Sequence, residues 1–380
     1  MIRWVGFAIG VALVVLTAIA VIFTLVLPRA RAAPQKLSMV INRATLGSFV
    51  RIASRSSRYE TVDGRLAPAG PVALILQLGL WLTCFFLGFA LMQWPYAESF
   101  THAMQLSGSG LLTVGFATPA AGGESSTVTI ISAATGAIVI ALQIAYLPAI
   151  YSAYSRRETL VTMLESRAGV PAWGPELLVR HRLAEITDTL PELYDEWEKW
   201  SAEVSESHTT YPVLTLFRSP EPWYSWVLAL LAVLDGAAMH LSLNPETAPS
   251  EARLCLRMGF TAFRRIATSL DWDYDSDPLP DADISLTYAE FEHAVHLLHE
   301  AGFGMEHTAE QAWPHFKGWR VNYENLAYRL ADMTIAPPAP WSGPRRNLKL
   351  EAVNPIRPPH RAPGGIEYSY RIDGRPDMEL

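Results

Sequence analysis

The sequence predicts an all-α protein with a membrane-embedded first part and a soluble, helical second part. Three uncharged runs, each long enough to cross a bilayer as a helix, lie before Arg157. Beyond Arg157 the chain mixes charged and apolar residues with the spacing of amphipathic helices. Half of the residues are hydrophobic and the net charge is −7, which suits this division and gives no reason to expect a nucleic-acid partner.

The first uncharged run, Trp4 to Leu27, predicts a transmembrane helix. At ~1.5 Å per residue it covers a hydrocarbon layer of about 30 Å. The alternative is a secretory signal peptide, because Ala30-Arg31-Ala32 resembles a cleavage site. The apolar part of a signal peptide is usually only about 7 to 15 residues long, so we favour the membrane helix. Residues 1–28 are therefore assigned to an N-terminal transmembrane helix and residues 29–70 to a basic loop.

The distribution of basic residues predicts the orientation of the chain. Residues 95–126 contain no Lys or Arg. The basic loop contains eight: Arg29, Arg31, Lys36, Arg43, Arg51, Arg55, Arg58 and Arg65. Because positively charged loops stay cytoplasmic, we expect the N-terminus outside the plasma (inner) membrane and everything after Arg156 inside. The same loop has the composition of a surface that attracts anionic lipid, although we favour its role in topology.

The segment between the second and third runs is too apolar for an ordinary loop and too short to span twice as a helix. The second run extends from Val72 to Trp94 and the third from Thr127 to about Tyr154. Between them, residues 98–119 read ESFTHAMQLSGSGLLTVGFATP. We expect a re-entrant helix over about Ser99 to Leu111, followed by an extended return. Non-helical backbone at membrane depth must be buried in protein or line a watery path.

Residues 72–157 resemble the two-transmembrane potassium channel family, which has a single pore loop per chain. The resemblance rests on the pore-loop sequence Thr113-Val114-Gly115-Phe116-Ala117, where the family has Thr-Val-Gly-(Tyr/Phe)-Gly. It implies a homotetramer in the lipid bilayer, with a pore domain over residues 71–157. It also implies that the filter carbonyls, with the Thr113 hydroxyl, replace the hydration shell of permeant potassium. The resemblance covers less than a quarter of the chain.

Two residues depart from the family pattern. The second filter glycine is Ala117, and the acidic residue that usually follows is Thr118. An alanine in a left-handed conformation costs roughly 1 to 2 kcal/mol, so we expect a rearranged outer filter and less strict selectivity for potassium over sodium. Many members pair an acidic pore-helix residue with that missing acid. The matching positions are Ser109 and Thr118, whose hydroxyls could bond each other.

Gly136 and Pro148 are the candidate gating hinges in the third run. Gly136 lies where the inner helices of the family bend, and Pro148 removes one backbone donor. Either residue is also explained as a packing feature of a membrane helix. No run carries regularly spaced Arg or Lys, so the sequence indicates no voltage sensor.

Residues 158–335 predict a helical cytoplasmic domain. Glu176 to Ser207 is a long helix that Pro191 should kink or divide. The apolar stretch from Trp223 to Leu243 is interrupted by Asp235, which favours a buried helix over a fourth span. Further helices are expected over residues 250–270, 287–301 and 306–333, with Thr287 and Glu290 forming a capping box. Residues 336–380 are a proline-rich tail without helical periodicity, which we expect to be extended or partly disordered.

Ligand motifs in the cytoplasmic part are weak. Asp271, Asp273, Asp275 and Asp277 alternate, but an EF-hand register starting at Asp271 would put Ala282 where a bidentate glutamate belongs. His293, His296 and His299 recur every third residue, which fits a polar surface stripe better than a metal or pH-sensing site. The chain has no Gly-x-Gly-x-x-Gly after a strand, so a dinucleotide-binding domain is not supported.

The sequence therefore predicts a passive, tetrameric cation channel of potassium-channel type with no catalytic residues, no cofactor and no metal other than permeant potassium. Its cytoplasmic domain would stabilise the tetramer or couple an unknown ligand or protein to the inner helices. The alternative is a channel-derived scaffold or sensor that does not conduct and whose cytoplasmic domain binds a partner. An integral-membrane enzyme is not supported, because no nucleophile or metal set stands out.

Overall fold

The computed structural model describes residues 1–26, 35–119, 123–346 and 351–357. These residues form α-helices, two short 3₁₀ turns and no β-strand, which confirms the all-α class. The helices are α1 (Ile2–Leu25), α2 (Gln35–Ala53), α3 (Tyr59–Leu66), α4 (Ala69–Gln93), α5 (Phe100–Leu111), α6 (Gly123–Ala168), α7 (Gly174–Leu183), α8 (Leu190–Thr210), α9 (Trp226–Leu243), α10 (Ser250–Ser269), α11 (Tyr288–Glu300), α12 (Ala309–Arg320) and α13 (Glu324–Met333).

The chain divides into two compact units. The first unit comprises residues 1–49, 68–154 and 210–217. The second comprises residues 50–67, 155–209 and 218–380. The chain therefore passes between the units several times, and α6 contributes residues to both.

Four helical stretches among the described residues are long and apolar enough to cross a membrane. Three of them, α1, α3 with α4, and α6, correspond to the three predicted runs. The fourth is α9, whose apolar window is 94% buried inside the fold. The apolar surface of α9 is thus covered by protein, as predicted for a core helix.

In the first unit α1 packs along α4 through glycines. A Cβ atom at Gly10 would lie 2.5 Å from the carbonyl oxygen of Gly88, and one at Gly88 would lie 2.7 Å from a methyl group of Val14. Small residues let membrane helices approach at backbone distance, where dispersion contacts accumulate. The contact gives α1 a structural role beside α4. The cleavage-like Ala30-Arg31-Ala32 lies outside the described residues.

Replacing Gly10 with leucine is expected to separate α1 from α4 and to lower the melting temperature of the protein in detergent. Overpacking a close contact costs typically ~1 to 3 kcal/mol. Gly79→Leu in α4 is the matched control, because a Cβ atom at Gly79 meets nothing within 4 Å. Equal melting temperatures for the two variants would contradict this contact.

Residues 210–217 lie against the N-terminal part of α4 in the first unit. Phe217 fills the space beside Gly70, where a Cβ atom would lie 2.6 Å from its ring. The Phe217 ring also contacts Tyr151 and Tyr154 of α6, with centroids 5.9 and 5.8 Å apart. This aromatic cluster joins the ends of α4 and α6 that belong to the unit.

The second unit is built around α9, which contacts α7, α10, α12 and α13. Its core contains a fully buried guanidinium, Arg320, beside Asp235 of α9 at 2.5 Å and Glu324 at 2.9 Å. The Tyr323 hydroxyl donates to the same Asp235 carboxylate at 2.8 Å. A buried charge is tolerated only when it is paired and hydrogen-bonded, so this cluster fixes how α9, α12 and α13 meet.

Several helix boundaries agree with the sequence and others differ. The capping box at Thr287 and Glu290 is confirmed. The long helix over residues 176–207 is divided, as predicted, with α8 beginning at Leu190 just before Pro191. The prediction of a single helix over residues 306–333 is wrong, because a turn at residues 321–323 separates α12 from α13.

The predicted tail is partly packed. Residues 336–346 are non-helical, yet Trp341 and Arg345 are buried. The Arg345 guanidinium donates to the carbonyl oxygens of Ala336 and Pro337 at 2.8 and 2.9 Å, which holds this stretch in a closed loop. Residues 351–357 are also described, and residues 347–350 and 358–380 lie outside the described residues.

Candidate functional site

The candidate site is assembled at the end of α5. Ser99 is the N-cap, and its hydroxyl accepts from the amide of His102 at 3.1 Å. Ser107 is buried and donates to the carbonyl oxygen of Phe86 in α4 at 2.7 Å. The helix that the sequence predicts over about residues 99–111 is thus present. It ends at Leu111 after Gly108 and Gly110, which are weak helix formers.

Gly136 of α6 lies very close to the C-terminal end of α5. A Cβ atom at Gly136 would lie 1.8 Å from the carbonyl oxygen of Leu111, so only glycine fits at this position. Gln93 of α4 ties the same region together. Its side-chain amide donates to the Ser125 carbonyl and the Thr129 hydroxyl of α6 at 3.0 and 2.8 Å. The sequence analysis missed Gln93, because a lone glutamine in an apolar run gives no spacing signal.

The chain leaves α5 in a tight turn with two left-handed residues. The Thr113 amide donates to the carbonyl oxygen of Gly110 at 2.8 Å. Thr113 has φ 55° and Gly115 has φ 74°, whereas Val114 between them does not have positive φ. Alternating handedness places successive N–H groups on one side of a chain. Thr113 is β-branched and rarely adopts this conformation, so the turn stores strain.

Ser109 receives the N–H groups of this segment. The amides of Val114 and Gly115 donate to the Ser109 carbonyl oxygen at 3.0 and 3.3 Å. The amide of Ala117 donates to the Ser109 hydroxyl at 3.0 Å. One buried residue of α5 thus binds three amides of the segment that follows it.

The hydrogen bonds to Ser109 fix the direction of the carbonyl groups. In a trans peptide the C=O points opposite to the N–H of the same unit. The carbonyl groups of Thr113, Val114 and Phe116 therefore point away from α5. Within the described part of the chain, no donor hydrogen-bonds to the carbonyl oxygens of residues 113–117. The segment presents a row of unpaired acceptors on its outer side.

The side chains of the predicted filter lie as follows. Val114 and Phe116 are largely exposed, at 63% and 64%. The Thr113 hydroxyl donates to the carbonyl oxygen of Leu112 at 2.8 Å. That leaves its lone pairs, rather than its proton, available to a cation. Ala117 packs against the small cluster formed by Ala97, Ala103 and Leu106.

The expected strain at the outer end of the segment is not at Ala117. Ala117 does not have positive φ, so it does not incur the cost of a left-handed alanine. The strained residue is Thr113 instead. The Ser109 hydroxyl accepts from the backbone amide of Ala117, and its pairing with the Thr118 hydroxyl stays a prediction. The support behind the segment therefore comes from one serine and main-chain amides.

The hinge candidates lie within one helix. α6 runs from Gly123 to Ala168 without interruption and contains both Gly136 and Pro148. The close approach of Leu111 gives Gly136 a packing role. Pro148 lies inside the same helix and stays a hinge candidate by its missing donor.

The remaining candidates, from residues 158–335, do not come together. His293, His296 and His299 are exposed on α11. Among the described residues, no group of three or more His, Cys, Asp or Glu side chains could hold a metal ion, and this includes the alternating aspartates from Asp271 to Asp277. The Asp277 amide donates to the Asp275 carboxylate at 3.0 Å, which is a local turn.

The apolar helices indicate a membrane protein. No protein-family model matches the chain, and the comparisons with curated proteins and with solved structures find no similar protein. The segment from Ser109 to Ala117 is therefore interpreted from its own geometry. In that geometry a helix end is followed by backbone whose amides donate to Ser109 and whose carbonyl oxygens point away from α5.

Proposed function

We propose that the protein is a cation channel of potassium-channel type, formed by four copies of the chain in a bilayer. The observation that carries the proposal is the set of amides bound by Ser109, which turns the carbonyls of Thr113, Val114 and Phe116 to the opposite side. Carbonyl oxygens without donors are suited to replace the hydration shell of a cation. Four such segments around one axis would form a cage that a single chain cannot close.

The end of α5 supports the same function electrostatically. The last carbonyls of a helix carry partial negative charge, equivalent to roughly half an elementary charge. If α5 points toward the axis, its C-terminal end stabilises a cation there. The exposed carbonyl row and the helix end would then act on the same ion, and no charged side chain is required in the filter.

The wider organisation follows the proposed topology. The N-terminus lies outside the plasma (inner) membrane, residues 98–119 form the outward loop, and residues 158–335 lie in the cytoplasm. Self-association through the membrane helices supplies the tetramer, and the helical second unit stabilises it or binds a cytoplasmic ligand or protein. α6 links the two, because it contributes residues to both units.

The experiment that tests this function is a flux assay. Purified full-length protein in liposomes should pass potassium faster than sodium, with protein-free liposomes as the blank. Absence of flux for every monovalent cation would favour the alternative, a channel-derived scaffold or sensor that does not conduct. That alternative rests on the altered outer filter, in which Ala117 and Thr118 replace a glycine and an acidic residue of the family pattern.

Ser109→Ala is expected to lower the ratio of potassium to sodium flux about fivefold or more. The change removes the acceptor of the Ala117 amide, and an unpaired buried donor costs roughly 1 to 3 kcal/mol. The carbonyl of Phe116 belongs to the same peptide unit, so it loses its fixed direction.

Ser107→Ala is the matched control for this variant. Ser107 lies on the same helix and is equally buried, but its hydroxyl donates to Phe86 rather than to the filter segment. The control should lose stability without changing the flux ratio. If both variants shift the ratio equally, Ser109 has no special role behind the filter.

A further inference from the structure

The cytoplasmic end of α6 is capped by a side chain of α7. The Arg180 guanidinium donates to the carbonyl oxygens of Glu165 and Ser166 at 3.1 and 3.3 Å. These carbonyls lie in the last turn of α6, where a helix has no donors of its own. Gly169 follows with φ 79° and ends the helix. The position of Arg180 therefore helps to set where α6 ends.

Glu176 holds Arg180 in this position and also binds the C-terminal segment. The Glu176 carboxylate is almost completely buried, with its side chain 1% exposed. It accepts from the Arg180 Nε at 2.8 Å. It also accepts from two nitrogens of Arg357, with distances of 2.8 Å for Nε and 2.6 Å for Nη2. A bidentate arginine is the geometry that a carboxylate binds most strongly.

The segment around Arg357 makes three further contacts with other residues of the second unit. The carbonyl oxygen of Ile356 accepts from Arg180 at 2.7 Å. Pro355 is buried beside Gly169. A Cβ atom added at Gly169 would lie 2.4 Å from the Cβ atom of Pro355. The Val353 amide donates to the carbonyl oxygen of Pro338 at 2.9 Å.

These contacts are mainly polar. Four of the seven residues from 351 to 357 are exposed, and Pro355 is the one that is buried. A segment with few buried apolar contacts opens at a small free-energy cost. Its attachment to the corner between α6 and α7 therefore depends on polar contacts, chiefly the pair of Glu176 and Arg357, rather than on buried apolar surface.

We propose that the corner formed by Gly169, Glu176 and Arg180 is a docking site for an extended peptide that carries an arginine, and that its occupant is residues 351–357 of this chain. We name this segment the C-terminal latch. It detaches and rebinds without unfolding the second unit. When it is bound, Ile356 and Glu176 together hold Arg180 on the end of α6. The consequence for conduction rests on the proposed function: release frees the end of the pore-lining helix and changes the flux.

Hydrogen exchange of the full-length protein in detergent tests the latch directly. In Arg357→Ala, the Val353 amide and the amides of the last turn of α6 should exchange about tenfold faster or more, because a charged hydrogen-bond pair has been removed. Arg357→Lys keeps the charge but not the bidentate geometry, so its exchange rates should lie between those of the wild type and of Arg357→Ala.

Arg346→Ala is the matched control. Arg346 is an arginine of the same tail whose side chain is 84% exposed and lies 3.3 Å from Asp332. It should leave exchange in both segments unchanged. Unchanged exchange in Arg357→Ala, or equal acceleration in the control, would overturn the latch.

Flux in liposomes then separates the latch from the channel proposal. If the wild-type protein conducts, Arg357→Ala should change its potassium flux about threefold or more while Arg346→Ala matches the wild type. Equal flux in Arg357→Ala would overturn the regulatory role, even with faster exchange. If no variant conducts, the channel proposal fails, and the exchange experiment alone decides whether the latch exists.

Discussion

Replacing Gly115 with valine is expected to abolish potassium flux while the protein still assembles. Gly115 has φ 74°, and a Cβ atom there would meet nothing within 4 Å in the chain. The constraint on this position is thus conformational. A left-handed conformation costs an L-residue roughly 1 to 2 kcal/mol, and a β-branched residue more. Valine would relax by rotating the peptide planes on either side.

That rotation would break the carbonyl row. The Gly115 amide shares its peptide plane with the Val114 carbonyl, so a turned plane moves the amide away from Ser109 and the carbonyl away from the axis. Flux should be measured in liposomes and assembly by size-exclusion chromatography.

Gly79→Val is the control for this variant, because Gly79 is an exposed position in the middle of α4 with open space around it. It introduces the same side chain at a helical glycine of a membrane span. Wild-type flux in Gly115→Val would rule out residues 113–117 as the filter.

The membrane-length helices α1, α4 and α6 and the helix α5 were predictable because their signal is local, whereas α2 lies in the predicted basic loop and was not. An uncharged run of sufficient length predicts a membrane helix regardless of its neighbours, and Ser99 with the following residues marks the start of α5. The same holds for the capping box at Thr287. The turn between α12 and α13 was not predictable in this way, because residues 321–323 contain no glycine or proline.

The position of the candidate site in the sequence was predictable, but the hydrogen bonds that hold it were not. The pore-loop sequence gave the residues, whereas the three amides on Ser109 depend on how the chain turns after α5. The strain was expected at Ala117 and is found at Thr113, because dihedral angles follow from the turn and not from residue type alone. Contacts such as Glu176 with Arg357 join residues 181 positions apart and leave no local pattern.

The second unit is expected to lose stability steeply on acidification, because it contains three histidines that burial keeps neutral. Burial lowers the pKa of His181 and, together with the neighbouring Arg157 charge, lowers that of His208 well below its usual range. Burial also lowers the pKa of His240 to about 4. Nε2 of His208 lies 3.0 Å from the Arg157 guanidinium and accepts from it only while the ring is neutral.

The sign of the effect follows from proton counting. In the unfolded chain each histidine binds a proton near its ordinary pKa of about 6.5, while in the folded chain the lowered pKa moves proton binding to lower pH. Below that pH the unfolded state holds more protons, so the free energy of unfolding falls as the pH falls. Each group contributes up to about 1.4 kcal/mol per pH unit, and for His240 the loss continues down to pH about 4.

Unfolding by urea, followed by tryptophan fluorescence between pH 7.5 and 5, should therefore show a free energy of unfolding that falls as the pH falls, with up to about 1.4 kcal/mol per pH unit from His240. His240→Gln should make this slope shallower by up to about 1.4 kcal/mol per pH unit, since the amide does not titrate. His296→Gln is the control, because His296 is exposed on α11, and its slope should match the wild type. Equal slopes for the two variants would show that His240 becomes protonated without unfolding the protein. Acid lability would then have to arise from His181 and His208, whose rings are fully enclosed.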